Sequence, residues 1–236
     1  MSLLDQFAAV ESRIAAACQA TERPRDSVRL LAVSKTKPAS AIAELAGLGQ
    51  QAFGENYVQE ALPKIAQLEG LALEWHHVGP IQSNKTADIA THFAWAHGVD
   101  RLKIAERLSS QRPAHLPPLN ICLQVNVSGE ASKAGCTPAE APALCRQLAL
   151  LPRIRLRGLM ALPAPSAADA DARAPFRQLR ELLEVLRAEG MPLDTLSMGM
   201  SDDLEAAIAE GATLIRIGSA LFGARDAGKS HIETAS

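Results

Sequence analysis

No apolar run in the 236-residue chain approaches the ~18 residues that a membrane span requires. The beginning, Met1-Ser-Leu-Leu-Asp-Gln-Phe7, lacks a basic segment followed by a long apolar core, so it does not read as an export signal. A soluble, cytoplasmic protein is the expectation. Strong net charge is missing too. The balance is -2 at pH 7, which argues against a broad electrostatic surface for nucleic acid or anionic lipid and leaves room for a local basic pocket. Cys18, Cys122, Cys136 and Cys145 form no CxxC pair, no histidine stands at zinc-finger spacing, and free thiols in a reducing cytosol are the simplest reading. His76-His77 has no third ligand at a telling spacing and reads as a packed histidine beside a solvent-facing one, not as a metal pair. No Pro/Gly/Ser-rich stretch divides the chain. One domain is expected over residues 1–225, followed by a flexible tail over 226–236 that carries no apolar pattern.

What the chain does have is an alternation. Leu3, Phe7, Val10, Ile14 and Cys18 fall on one helical face, and Pro24 closes that opening helix. Strand-like runs follow at residues 28–34, 51–54, 74–79, 93–98, 119–127, 154–162, 193–198 and 213–218, most of them trailed by a segment of helical periodicity. The clearest helices are those of Phe176, Leu179, Leu182, Leu183 and Leu186, and of Leu102, Ile104, Ala105 and Leu108. Asp100, Thr137 and Ser201-Asp202-Asp203 stand as helix caps. Eight strand–helix units in this length favour an α/β fold, a single closed (β/α)8 TIM barrel with an extra N-terminal helix; an open doubly wound sheet is the alternative. The low-complexity segment from Pro163 to Pro175 falls after the sixth strand and reads as a mobile surface loop rather than a lid.

Barrel enzymes work at the carboxyl ends of their strands. Lys35, in Leu31-Ala-Val-Ser-Lys-Thr-Lys-Pro38, ends the first apolar run, with its stem in apolar surroundings and its amine at the barrel mouth. Desolvation in such a place favours the neutral, nucleophilic form of an amine, which can form a Schiff base. The turns Ser197-Met-Gly-Met-Ser201 and Arg216-Ile-Gly-Ser-Ala220 have the look of an anion site. Gly199 permits close backbone approach to a ligand, Ser201 offers a hydroxyl, and Gly218-Ser219 opens a short helix. A strand-end lysine facing a phosphate cradle suggests an aldehyde that bears a phosphate, and pyridoxal 5′-phosphate meets that description. Arg216 would then face the pyridine nitrogen, leave it unprotonated and weaken the electron sink. Each element has a plainer reading: Lys35 as a solvated strand-end charge, the two turns as ordinary helix starts, Arg216 as a partner of Glu55 or Asp202. The case rests on their co-location at one barrel mouth.

Six stretches then carry a resemblance. Ala32-Val-Ser-Lys-Thr-Lys-Pro38, Phe53-Gly-Glu-Asn-Tyr-Val-Gln-Glu60, Trp75-His-His-Val-Gly-Pro-Ile-Gln-Ser-Asn-Lys85, Leu156-Arg-Gly-Leu-Met160, Ser197-Met-Gly-Met-Ser-Asp-Asp203 and Arg216-Ile-Gly-Ser-Ala-Leu-Phe-Gly223 closely resemble the pyridoxal-phosphate homeostasis protein family, also called the proline synthase co-transcribed homologue family, from about residue 28 to 225. The resemblance implies a single barrel similar to the amino-terminal domain of alanine racemase and of fold-type III decarboxylases, holding pyridoxal phosphate as an aldimine of Lys35. It further implies that Ser201 with the amides of Met200, Gly218 and Ser219 holds the phosphate, that Arg216 meets the pyridine nitrogen, and that Asn56 lies near the ring. Ser219 stands where many members have threonine, which keeps the hydroxyl. Lys37, Lys133 and Lys229 fall at lysine positions of close members, as secondary sites during cofactor loading or release.

The same resemblance points away from catalysis. Racemases of this type add a tyrosine from a second domain of a partner subunit; no such domain is expected here, and the sole tyrosine, Tyr57, reads as a packing or pocket-wall residue. The expectation is a monomeric, non-catalytic carrier that buffers vitamin B6, with apo forms of pyridoxal-phosphate enzymes as partners. The alternatives are a pyridoxal-phosphate amino-acid racemase or a Schiff-base aldolase.

Overall fold

The computed structural model describes residues 2–130, 133–163 and 171–223. The expected tail over 226–236, Lys229 and most of the low-complexity loop lie outside the described residues. The chain begins with α1 (Leu3–Ala20), capped by a reciprocal box in which Ser2 and Asp5 each accept the other's backbone N–H. Strand and helix then alternate: β1 (Arg29–Val33), α2 (Ala39–Gly47), β2 (Ala52–Glu55), α3 (Val58–Gln67), β3 (Glu74–His77), α4 (Thr86–His92), β4 (Trp95–Val99) and α5 (Leu102–Gln111). The second half repeats the pattern with β5 (Leu119–Gln124), α6 (Ala141–Leu148), β6 (Ile154–Met160), α7 (Ala174–Ala188), β7 (Thr195–Ser197), α8 (Leu204–Ala209), β8 (Leu214–Ile217) and the short α9 (Ser219–Phe222). All eight strands pair in parallel, each with its sequence neighbour, and β8 closes on β1 through Leu31↔Arg216 and Ala32↔Ile217. The closed barrel expected from the alternation is the one observed.

Side-chain alternation along these strands separates two interiors. Outward residues such as Leu30, Phe53, Ile121, Leu159 and Ile215 join Ile42, Leu108, Leu148 and Leu183 of the helices in one large apolar core. Inward residues make two small apolar clusters, Leu31 with Ala52, Val78 and Leu214, and Trp95 with Cys122 and Met160. The rest of the lumen holds buried polar groups, among them His76, His97, Ser197 and Arg216. This departs from the usual filling of small barrels by branched apolar side chains.

Two of the three expected caps work differently. Asp100 pairs with Arg101 at 2.7 Å, and Arg101 itself precedes α5 without a side-chain cap. Asp203 precedes α8, but its carboxylate turns back to the amide of Met200. Thr137 does make a reciprocal box with Glu140, one turn ahead of the regular part of α6. Strand β5 stops at Gln124, short of the expected Val127, because the following residues pair instead with Cys136.

The opening helix is part of the packed body. It lies against α8 and α9, buries Val10, Ile14, Ala17 and Cys18, and pairs Arg13 with Glu205 at 2.8 Å. Ile14 is fully buried. We expect Ile14→Ala to destabilise the protein by about 3 kcal/mol with an unchanged denaturant slope, measured by urea unfolding. A loss below about 1 kcal/mol would mean that α1 is an appendage.

Candidate functional site

A cavity of about 430 Å³ opens at the carboxyl ends of β1, β2, β7 and β8. Lys35 lies in its wall because Leu31 and Val33 face the lumen and the pleat carries that direction two residues further. The turn that follows is strained. Thr36, a β-branched residue, sits in the left-handed region at φ 65°, a cost of about 1–2 kcal/mol. Three contacts over-determine it: the Thr36 amide donates to Glu60 Oε2 at 3.1 Å, the Lys37 amide to the Ser34 carbonyl at 3.0 Å, and Lys37 Nζ to the Phe222 carbonyl at 2.9 Å. Lys37 therefore lines the cavity while its ammonium ties the β1 turn to the end of α9.

The opposite wall is made by the turns after β7 and β8. Ser201 and Ser219 share a hydrogen bond between their hydroxyls at 3.1 Å, and the Ala220 amide donates to Ser201 Oγ at 3.4 Å. Gly218 precedes α9, and Gly218, Ser219, Met200 and Ser201 all face the cavity. The Met200 amide is engaged by Asp203 Oδ1 at 2.5 Å, so a carboxylate of the chain itself holds one of the expected anion donors. Gly199 serves a different purpose from the one expected. Its φ is 93°, and a Cβ there would lie 2.6 Å from Ala207 Cβ, so glycine is required by the backbone and by packing on α8 rather than by ligand approach.

Arg216 forms the inner surface of the cavity. It is buried and donates to Ser197 Oγ at 2.7 Å and to the Ala161 carbonyl at 2.8 Å; Glu55 and Asp202 are not its partners. Burial lowers its pKa to about 10, which leaves it charged at neutral pH. Asn56 follows β2 in the cavity wall, where a Cβ on Gly79 would stand 2.4 Å from its carbonyl oxygen, so glycine alone lets the end of β3 lie against it. The seven residues named from the sequence thus line one cavity. Tyr57 is half exposed ahead of α3, and neither it nor Lys133 lines the cavity.

Two features escaped the sequence reading. His77 is buried, edge-on to Phe93 at 5.5 Å, and does not face solvent; the phenylalanine comes from the start of the next unit, which adjacency in sequence cannot show. Behind Lys35 lies a buried group of three. Glu55 Oε1 accepts from Ser34 Oγ at 2.6 Å and from Lys64 Nζ at 2.8 Å, while Lys64 also donates to the Ser34 carbonyl at 3.0 Å. The polar residue Lys64 on the buried face of α3, with Glu55 at the end of β2, was the available signal.

The fold and site define a barrel of the alanine racemase amino-terminal type: the model for the family "Alanine racemase, N-terminal domain" matches residues 6–226. An alanine racemase of Corynebacterium glutamicum shares the fold at 17% identity and TM-score 0.63, over 90% of this chain and 60% of its own. A Pseudomonas aeruginosa protein named pyridoxal phosphate homeostasis protein is 62% identical over 227 residues, 96% of this chain and 97% of that one. The Escherichia coli protein of that name is 52% identical, over 94% of this chain and 97% of its own. PipY of Synechococcus elongatus, 41% identical, superposes with TM-score 0.84 in a structure without pyridoxal phosphate, over 94% of this chain and 100% of that one. Its structure with pyridoxal phosphate bound gives 0.78, over 90% and 100%. The chain belongs to the pyridoxal phosphate homeostasis protein family.

Burial raises the pKa of Glu55 more than Lys64 and Ser34 lower it. Its folded pKa thus exceeds the unfolded one, and its contribution to stability falls as pH rises through that interval. Removing the lysine widens the interval. We expect Lys64→Met to cost about 3–5 kcal/mol at pH 7 and less at pH 5, read by urea unfolding at both. An equal loss at the two pH values would contradict a charge interaction between Lys64 and Glu55.

Proposed function

We propose that the chain binds pyridoxal 5′-phosphate through Lys35 and serves vitamin B6 homeostasis by holding and releasing it, without turnover of its own. The observation that carries this reading is the meeting, in one cavity of about 430 Å³, of a strand-end primary amine, a serine-lined turn pair and a buried guanidinium. Those groups fit the ligand: an amine for its aldehyde, donors for its phosphate and a cation for its ring nitrogen. The cofactor supplies an aldehyde that condenses reversibly with a primary amine, which is the chemistry a carrier needs.

Each residue has a distinct part. Lys35 Nζ is the nucleophile, held in place by the strained Thr36 turn. Ser201, Ser219 and the backbone at Gly218 and Ser219 hold the phosphate, and the Met200 amide joins them when Asp203 gives it up. Arg216 is a donor that stays charged, so it disfavours a proton on the ring nitrogen beside it and mutes the electron sink that racemases and decarboxylases exploit. Asn56 flanks the ring. On this reading the protein works in the cytoplasm as a monomer, with apo-enzymes that need the cofactor as recipients.

Purified protein should be yellow, and borohydride should leave a phosphopyridoxyl group on Lys35, seen by peptide mass. Lys35→Ala should lose both, and label at another lysine with Lys35 left unmodified in the wild type would overturn the assignment. Ser201→Ala should weaken cofactor affinity by about 10-fold, the loss of one hydrogen bond to a charged group, measured by absorbance titration. Exchange of an amino acid's alpha proton in deuterated water, well above a Lys35→Ala control, would replace the carrier reading with a racemase. Transfer to an apo-enzyme across a membrane that blocks protein contact tests hand-over, since equal rates with and without the barrier mean simple release.

A further inference from the structure

A continuous polar column crosses the barrel lumen, and cofactor carriage as described leaves it without a role. It begins at the amino end of the barrel, where Arg29 holds Glu74 Oε1 at 2.7 Å. The same oxygen lies 2.6 Å from His76 Nε2. His76 Nδ1 meets His97 Nε2 at 2.9 Å, and His97 Nδ1 meets Ser197 Oγ at 2.8 Å. Ser197 Oγ accepts from Arg216 at 2.7 Å, at the inner surface of the cavity. Five strands, β1, β3, β4, β7 and β8, contribute one or two positions each, and every link is within ordinary hydrogen-bond distance.

The protons along the column are set from its two ends. Arg216 can only donate, and ionised Glu74 can only accept. Burial opposes the charge on Glu74, but the His76 contact and the charge of Arg29 outweigh it and lower its pKa. Full burial keeps His76 and His97 neutral at pH 7, with the positive charges of Arg29 and Arg216 acting in the same direction on His97. A neutral His76 that donates from Nε2 must accept at Nδ1, so His97 donates from Nε2 and accepts at Nδ1. The only proton left for that acceptor is the Ser197 hydroxyl, whose oxygen is then open to Arg216. Trp95, stacked on His76 at 5.3 Å and 6°, clusters with Met160 and Cys122 in the apolar part of the lumen.

We propose that Glu74, His76, His97 and Ser197 form a one-directional hydrogen-bond relay that positions Arg216 in the cavity and locks both histidines as neutral Nε2–H tautomers. The relay uses one of the five guanidinium N–H groups and the Ala161 carbonyl takes another, so both terminal nitrogens of a side chain that lines the cavity are pinned. A buried network of this kind is stiff only when every member is satisfied, so a break at the far end is transmitted along it. Its effect on the ligand, though not its tautomers, rests on the reading of the cavity as a pyridoxal-phosphate site.

Histidine nitrogen NMR on the cofactor-free protein tests the relay without any ligand. Two Nε2–H tautomers are expected for His76 and His97; an imidazolium or an Nδ1–H form of either overturns the proposal. Glu74→Leu, which cannot accept, should release the tautomers, whereas Glu74→Gln, whose amide oxygen still accepts, should keep them. Ser197→Ala should weaken pyridoxal-phosphate binding by about 10-fold and shift the absorbance maximum of the bound form, while the apo protein keeps its fold by circular dichroism. An unchanged affinity and spectrum in Ser197→Ala, or unchanged tautomers in Glu74→Leu, would reduce the column to lumen filling. If the wild type binds no cofactor at all, the carrier reading fails while the tautomer result still decides the relay.

Discussion

The pleat of β1 decides where the amine of Lys35 goes. Leu31 and Val33 face the lumen, the pairing of Val33 with Gly54 holds that strand to β2, and Lys35 continues the inward series just past the last paired residue. A one-residue slip would send every inward side chain outward, so the closed register from β8 through β1 to β2 is what the site depends on. The strained Thr36 turn then prevents the lysine from following the chain into α2.

Closure also explains the division of chemistry between the two interiors. The apolar side of each strand is spent on the helices, where the large core lies, so the lumen is free to carry polarity as long as its groups satisfy one another. Arg216 ends a satisfied chain of that kind. Glu55 belongs to the other side, between the ends of β1 and β2 and Lys64 in the last turn of α3, where one carboxylate oxygen has two donors and Oε2 is buried without a hydrogen-bond partner. Both arrangements stiffen the cavity from behind, leaving its mouth to the serine turns and to Asp203.

Much of this was legible in the amino-acid order. The eight apolar runs with intervening helical periodicity predict a closed barrel, and strand ends in such a barrel share one face, which is why the sequence alone groups Lys35, Asn56, Arg216 and the two serine turns. Caps were less legible: Asp100 and Asp203 have the right residue type, but the nearest unsatisfied donor or charge in space took them instead. The reason for Gly199 was likewise hidden, because Ala207 reaches it only through the packing of α8.

Residue type and spacing therefore determined the elements, their order and the positions that reach the barrel mouth, since these follow from periodicities of two and 3.6 along a single chain. What only the tertiary structure decided is who touches whom across strands: His97 with Ser197, a hundred positions apart, and Lys64 with Ser34 and Glu55. Hydrogen bonds at 2.6–3.0 Å require placement to a fraction of an ångström, and that placement comes from barrel closure and helix packing acting together, which no local pattern encodes.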